Sequence, residues 1–560
     1  MKTAIISRKF AIVFLLIAAI VLAGCSSSSD KDKVSKGGTI TIGAEQEPDC
    51  LDFVGSCSGS SWGFWMVAVN TLPRAYSAER IGTKNEWEWK HTNLLAKDAE
   101  LETSPVQKIT YTINKDAVWS DGKPITGDDF VYTWDQVANG EDVYDKTGYT
   151  NIDKVEVNKD DNKVVVVTMK KGEPYAGWKA LFGGNYGILP SHILKGKDRN
   201  AEMKDGYTFS GGPFKLVENG WKKGETITIV RNDKYWGEKA KLDKVIFRMQ
   251  SDTTAEFASF KTGEVLAIYP QPQIDVVDAI NEGNLEGEKI VNATTGSTEA
   301  LWINNEAKPF DSKEVRQALG YSLDRDAIVN SLFGDIGVKK AVNSFVAPAV
   351  SQYAETSGFS KYKTNKSKVD ELLTKAGYAK NSSGVYAKGG QELSFTIQTT
   401  EGNQRRKLTL ETMQKQLQDL GWKVEIKFVP AGDLFGTIGP KGEFQVALYA
   451  QILTVLDPAN CSLFCSENIP TAANGDSGNN WTRTRIDAAD VELRKVDREL
   501  DEDKRIAASK KSEKLLAEDA TSIPLDPLPN IFLWSNKLAG NIDENPIQGP
   551  FWTLSQWGLK

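Results

Sequence analysis

The sequence predicts a mixed α/β fold built as more than one domain. Three observations carry this: alternating strands that recur along the chain, amphipathic helices set between them, and a length of 560 residues, which is enough for several cores. Leu393, Phe395 and Ile397 alternate as a strand, Gln404 to Leu420 reads as a helix ending at Gly421, and Val424, Ile426 and Phe428 alternate again. That strand–helix–strand order argues for a sheet with helices on its faces.

The remaining elements follow in chain order. Thr39 to Ile42 alternates like a first strand, and Gln46 to Asp52 leads into a loop. Ser56 to Ser61 is small and polar, and Trp62, Phe64 and Trp65 crowd together after it. Those aromatics read either as a helix packing inward or as one wall of a ligand site. Lys108 to Ile113 reads as a strand, and Asp121-Gly122 supplies the positive φ of a tight turn. Thr126 with Asp129 makes an N-terminal cap for a helix bearing Phe130, Val131, Trp134 and Val137. Val155 to Val157 and Val164 to Met169 form a hairpin. Thr226 to Val230, Val245 to Met249 and Val265 to Ile268 are further strands, and Thr254 to Thr262 is a helix stopping at Gly263. Asp311 is expected to cap a helix bearing Val315, Ala318 and Leu319. From Val491 to Ala520 a charged amphipathic run carries Leu493, Val496, Leu500, Ile506, Leu515 and Leu516 as its buried stripe.

The first residues read as an export signal. Lys2, Arg8 and Lys9 precede the apolar run Phe10 to Ala23, whose 14 residues make roughly 21 Å of helix against a hydrocarbon core of about 30 Å. Leu22-Ala-Gly-Cys25 resembles the lipobox of bacterial lipoproteins, which implies cleavage before Cys25 and acylation there. An ordinary secretory cut near Ala23 is the alternative. Residues 1–24 are then the signal peptide and 25–37 a lipidated flexible tether. Removing the signal takes the net charge from −7 to −10, which argues against nucleic acid and against broad contact with an anionic membrane. The protein is expected on the outer face of the cytoplasmic membrane, held by lipid alone.

Of five cysteines, Cys25 is assigned to lipid. Cys50 with Cys57 and Cys461 with Cys465 form two close pairs that read as disulfides in an exported protein, with the connectivity left open and a zinc site as the alternative. With His91 and His192 the only histidines, no metal site is expected, and no cofactor. The sequence carries no nucleophile elbow, no phosphate-binding glycine loop and no zincin motif, so no catalytic residue is nominated and the chain is read as a non-enzyme. Its 15 Trp, 16 Tyr and 22 Phe suit an aromatic-walled cleft for an organic ligand.

A family likeness rests on ordered motifs. Trp119-Ser-Asp-Gly-Lys-Pro-Ile-Thr-Gly-Asp-Asp-Phe-Val-Tyr-Thr-Trp134 closely resembles the signature of extracellular solute-binding protein family 5, the peptide- and nickel-type receptors of ABC importers. Gly211-Gly-Pro-Phe-Lys-Leu216, Arg231 to Trp236 with Leu242 to Phe247, Lys261-Thr-Gly-Glu264, Phe310 to Leu319 and Leu515 to Ala520 extend it. The resemblance implies a two-lobed, periplasmic-binding-protein-like fold of the class II type, with an additional domain inserted in the first lobe. Carried onto this chain, lobe I combines 38–72, 205–297 and 526–560, the inserted domain is 73–204, and lobe II is 298–525.

The resemblance also implies the function. A monomeric receptor captures a small organic solute, most simply a peptide, and delivers it to an ABC permease with its ATPase subunits. A non-peptide ligand such as a glycan or lipid head group is the alternative, as is a signalling or envelope-assembly lipoprotein. The implied ligand residues are Ser58, Ser60, Ser61 and Trp62 after the first strand, then Trp302 and Asn304, and Tyr449, Thr454 and Asp457 in the segment from Ala447 to Pro458. Peptide-binding members commonly hold an aspartate three residues before the acidic residue of the acid–Pro step, where it pairs with the peptide's ammonium. Thr454 stands there in this chain.

Overall fold

The computed structural model describes residues 34–81, 86–184, 186–292, 296–453, 456–458 and 460–560. The expectations for the signal, Cys25 and Thr454 lie outside the described residues.

Three sheets organise the chain. The first has seven strands in the order Glu288–Asn292, Asn530–Trp534, Ala267–Ile268, Thr39–Ala44, Lys244–Met249, Thr226–Arg231 and Phe214–Lys222. Thr39–Ala44 lies at its middle, parallel to both neighbours, and the alternation of its sequence puts Ile40 and Ile42 into the core. The second sheet has five strands, ordered Lys423–Val429, Ser394–Thr400, Val446–Ile452, Ser297–Ile303 and Ser522–Asp526. Its first two are parallel and joined by the helix Gln404–Leu420, which buries Leu410, Met413 and Leu417. Asn403 caps that helix by accepting from the Arg406 N–H at 3.0 Å, and Gly421 ends it at φ +97°, where a β-carbon would be strained. The third sheet has four strands, ordered Glu100–Glu102, Lys108–Thr112, Val164–Met169 and Ile152–Val157.

The long sequence motif is a structural node on this third sheet. Thr126 and Asp129 form the expected capping box on the helix Gly127–Ala138. Asp129, 1% exposed, also accepts from the Trp119 indole at 3.1 Å and from the backbone and hydroxyl of Ser191 at 2.8 and 2.7 Å. Such a carboxylate uses nearly all its acceptor capacity, so these residue types are needed together.

Two local expectations are corrected. Ser312, not Asp311, is the N-cap of the helix Lys313–Ser322, because the chain turns one residue later than the motif suggested. The run from Val491 is two helices, Asp487–Arg498 and Glu502–Asp519. The break at 499–501, where Asp501 caps the second helix, leaves Leu500 42% exposed instead of in the stripe.

The chain passes from the seven-stranded to the five-stranded sheet between Asn292 and Ser297, and returns between Asp526 and Asn530. Few residues therefore join the two, as a hinged molecule needs.

Candidate functional site

Two adjoining cavities lie where the three sheets' segments meet. The first, about 180 Å³, is walled by Ser58, Ser61, Phe64 and Trp65 from the stretch after the first strand, by Trp89 and by Tyr144, Asp145 and Tyr149. Tyr175 and Tyr186 close it, and Gln451, Asn460 and Ser462 form the opposite face. The second, about 60 Å³, is lined by Ser60, Trp62, Gln271, Arg406, Trp481 and the return crossing Leu528 to Asn530. Gly59, Ser61, Trp65, Tyr144, Gln451 and Ile452 belong to both, so the two are chambers of one cleft.

Local structure explains how each wall is held. A helix starts at Ser61 and runs into a π-helical turn over Phe64–Ala68; Trp62 and Trp65, three residues apart and so on one face, pack at 5.8 Å. Trp65 then meets Tyr269 edge-on at 5.6 Å. Gly59 comes so close to the opposite wall that a β-carbon would lie 2.6 Å from the Phe435 carbonyl, so the two sides are closed on each other there. Trp62 and Trp65 are buried, and each also lines a chamber of the cleft.

The disulfides are Cys50–Cys57 and Cys461–Cys465. Each ends one residue from a lining residue, Ser58 in the first case and Asn460 and Ser462 in the second. Each closes a short loop, worth about 2 kcal/mol in the chain-entropy model. The double variant Cys461→Ala/Cys465→Ala is expected to lose about that much stability and to weaken ligand binding. Thermal unfolding and a ligand titration on the same preparation check both, and unchanged affinity would separate the bridge from the site.

The other residues implied by the resemblance are placed as follows. Trp302 is 1% exposed, stacks on Tyr449 at 5.3 Å and donates its indole N–H to the Tyr449 carbonyl at 2.9 Å; it lies in the core behind the wall. Tyr449 is covered by Phe435 and Trp481, at 5.5 and 6.0 Å. Asn304 braces a turn, donating to Gly442 O and accepting from Glu306 N. None of the three is among the lining residues. Asp457 accepts from the Trp89 indole at 3.3 Å and pairs with Arg505 at 3.0 Å, so it orients a cavity aromatic from behind. Asp145 with Tyr144, Tyr149, Tyr175 and Tyr186, none of them singled out from the sequence, line the first cavity instead.

A buried polar network crosses the cleft beside the second cavity. Glu299 receives Arg405 at 2.9 Å and Arg406 at 2.7 Å. Burial opposes its ionisation, but the two guanidiniums hold its carboxyl below the usual range. Asn403 donates to Glu45 at 3.2 Å, the Arg405 N–H to Gln273 at 2.9 Å, and the Arg405 guanidinium to Gln271 at 3.2 Å, joining the second sheet's helix to the first sheet's loops. Glu256 is fully buried nearby with no hydrogen-bond partner for either oxygen among the described residues. Burial, then the charge of Glu45, pushes its carboxyl well up.

Comparison with known proteins agrees with this geometry. The profile of "Bacterial extracellular solute-binding proteins, family 5 Middle" matches residues 90–467, about two thirds of the chain. The chain belongs to this family. Among curated relatives, the oligopeptide-binding protein AppA of Bacillus subtilis is 27% identical, over 83% of this chain and 85% of its own length. Among solved structures, an oligopeptide-binding protein from Thermus thermophilus complexed with a pentapeptide superposes with TM-score 0.80 at 20% identity, covering 93% and 96% of the two chains. A periplasmic EDTA-binding protein, EppA, superposes at 0.78 with 23% identity, covering 96% and 99%. The fold is therefore the two-lobed binding-protein fold of family 5. Proteins sharing it take ligands as different as a peptide and EDTA, so the ligand must be argued from the cleft itself.

Proposed function

We propose that this chain is the substrate-capturing lipoprotein of an ABC importer and that its cargo is short peptides. The observation that carries this is the closed, aromatic-walled cleft, lined from both sides of the hinge and continuous through two chambers. The peptide-binding relatives support the cargo. The first cavity holds on the order of a dozen waters' worth of space, which suits a di- or tripeptide in the closed form. Binding energy that is available only with both walls in contact shifts the molecule toward closure.

The domain division of 38–72, 205–297 and 526–560 for lobe I, 73–204 for the inserted domain and 298–525 for lobe II is supported by the segregation of the three sheets, whose strands fall almost entirely within those stretches. Export and anchoring at Cys25 are supported by the cationic, apolar and Leu-Ala-Gly-Cys segments in order. No helix among the described residues is long and apolar enough to cross a membrane, so lipid at Cys25 is the attachment to the membrane in this reading.

The test is thermal unfolding of the purified chain with a randomised tripeptide pool. The expected result is a rise in Tm that grows with the logarithm of pool concentration, with the bound peptides recovered uncleaved. No shift with di- to pentapeptide pools would remove the peptide reading, and cleaved peptide would replace capture by catalysis.

A further inference from the structure

We infer that the second cavity is a subsite for an uncharged oxygen of the ligand that only accepts hydrogen bonds, of the carbonyl or sulfoxide kind. Its holders are the indole N–H groups of Trp65 and Trp481 and the hydroxyl of Ser60. This rests on the cleft being the ligand site.

Three buried polar atoms carry the argument. Trp65 Nε1, Trp481 Nε1 and Ser60 Oγ have no hydrogen-bond partner among the described residues, and all three residues line the second cavity. None of the three residues is more than 8% exposed. Buried donors are nearly always paired, so three unpaired ones around a cavity of about 60 Å³ point to one shared partner. An indole N–H can only donate, and a hydroxyl can donate as well, so that partner is an oxygen with lone pairs and no proton of its own. Ser60 stands at the N-cap of the helix that starts at Ser61, where a serine ordinarily accepts from the helix backbone, yet its side chain makes no capping bond. Backbone holds both rings in place. A β-carbon at Gly549 would lie 2.2 Å from the Trp65 ring, and one at Gly439 would lie 2.4 Å from Cε3 of Trp481, on the six-membered ring rather than at the N–H.

Charge around the cavity selects a neutral group. Among the described residues no Asp or Glu lines it, and its one charged lining residue, Arg406, is already engaged by Glu299 at 2.7 Å and by the Thr400 hydroxyl at 2.8 Å. The Gln271 side-chain oxygen is taken too, by Asn403 and Arg405 at 3.2 Å each. A charged ligand group would find no free opposite charge there, whereas an uncharged oxygen loses least on leaving water. Ser60 and Trp65 belong to the stretch after the first strand, while Trp481 lies beside Phe435 on the opposite wall. One oxygen taken by both walls therefore ties them together. Closure without an acceptor leaves the three groups sealed from water, so ligands that bring one favour the closed form.

The experiment uses the full chain and randomised tripeptide pools in which one position, each in turn, is fixed as methionine or as its sulfoxide. The two differ by a single acceptor oxygen. The expected result is that at one position the sulfoxide pool binds roughly 5- to 50-fold more tightly than the methionine pool. Ser60→Ala removes a hydroxyl that has no partner, so it should leave the Tm of the unliganded chain unchanged or higher while shrinking that preference. Trp481→3-benzothienylalanine, which puts sulfur in place of the N–H at nearly the same shape, should shrink it as well. If sulfoxide and methionine pools bind alike at every position, ordered water serves the donors and the subsite falls while peptide capture stands. If the preference survives undiminished in both variants, the oxygen is held elsewhere and the assignment also falls. If the Trp481 variant fails to fold, Ser60→Ala decides. If no pool binds, the peptide reading falls. The subsite is then judged on dimethyl sulfoxide against dimethyl sulfide, read by the indole N–H resonances of Trp65 and Trp481: a shift with the sulfoxide alone keeps it, and none overturns it.

Discussion

Glu299→Gln is expected to destabilise the protein by about 3–5 kcal/mol, the range for breaking a buried ion pair by removing one partner. Glu299, Arg405 and Arg406 are each no more than 1% exposed, and the two carboxylate oxygens each serve a different guanidinium. Glutamine keeps one acceptor and turns an N–H₂ group toward the second cation. Arg405 and Arg406 also occupy the first turn of the helix Gln404–Leu420, where the helix dipole already disfavours positive charge, so Glu299 offsets two costs at once. Urea unfolding at neutral pH measures the loss. A companion Arg406→Gln in the Glu299→Gln background should recover part of it, because it removes one of the two stranded charges. A loss under about 1 kcal/mol would mean that water reaches the network and that the site is not sealed.

The position of that network explains why the loss should also reach ligand binding. Arg406 lines the second cavity, while Asn403 and Arg405 reach across to Glu45, Gln271 and Gln273 on the first sheet's side. The pair is thus both a core element and part of the seam along which the cleft closes.

Much of the scaffold was legible in the sequence because it is written locally. The helix Gln404–Leu420 has its cap at Asn403, its apolar spacing and its stop at Gly421 within 19 consecutive residues. The turn at Gly122, with φ +89°, and the capping box at Thr126 and Asp129 are equally local. The misjudged positions are those where local chemistry is ambiguous: Asp311 and Ser312 are both good caps, and Leu500 fits an apolar stripe only if the helix is unbroken through it.

The cleft was legible on one side only. The serines and tryptophans after the first strand sit beside a glycine and a disulfide loop, and that cluster showed in the sequence. Trp302 and Tyr449 were implied by the family resemblance, but Phe435 and Trp481 cover Tyr449 and leave Trp302 stacked behind it. Asp145 gave no signal because its place in the cavity wall is set in three dimensions. Its carboxylate is aimed by Ser462, 317 residues away, and its aromatic surroundings are gathered from separate stretches of the chain.

The same seam should make stability depend on pH. Asp526 ends the last strand of the second sheet, just before the return crossing, and is wholly buried. Burial pushes its carboxyl up to about 7; Arg405 and Arg406 oppose this, and the charge of Glu299 adds to it. In the unfolded chain an aspartate loses its proton near pH 4. Between about pH 4 and 7 the folded state therefore binds the extra proton, and stability falls as pH rises, by at most about 1.4 kcal/mol per pH unit for this group. Below about pH 4 both states are protonated and the penalty is absent; above about 7 both are ionised and it is constant. Glu256, also raised by burial, acts in the same direction, as do Glu513, raised to about 7, in the helix Glu502–Asp519 and Asp497, raised to about 8, in the helix Asp487–Arg498. The unaltered profile is thus a sum, and the informative quantity is the difference between it and Asp526→Asn. That variant is expected to gain on the parent steadily from about pH 4 to 7 and to hold a constant advantage above, as read by Tm across a buffered series. A parallel offset from about pH 4 upward would show that Asp526 is ionised over that range in the folded state, as it is in the unfolded chain. The guanidinium of Arg405 would then outweigh burial, and the seam would hold the carboxylates of Glu45, Glu299 and Asp526 against two arginines with no proton to spare.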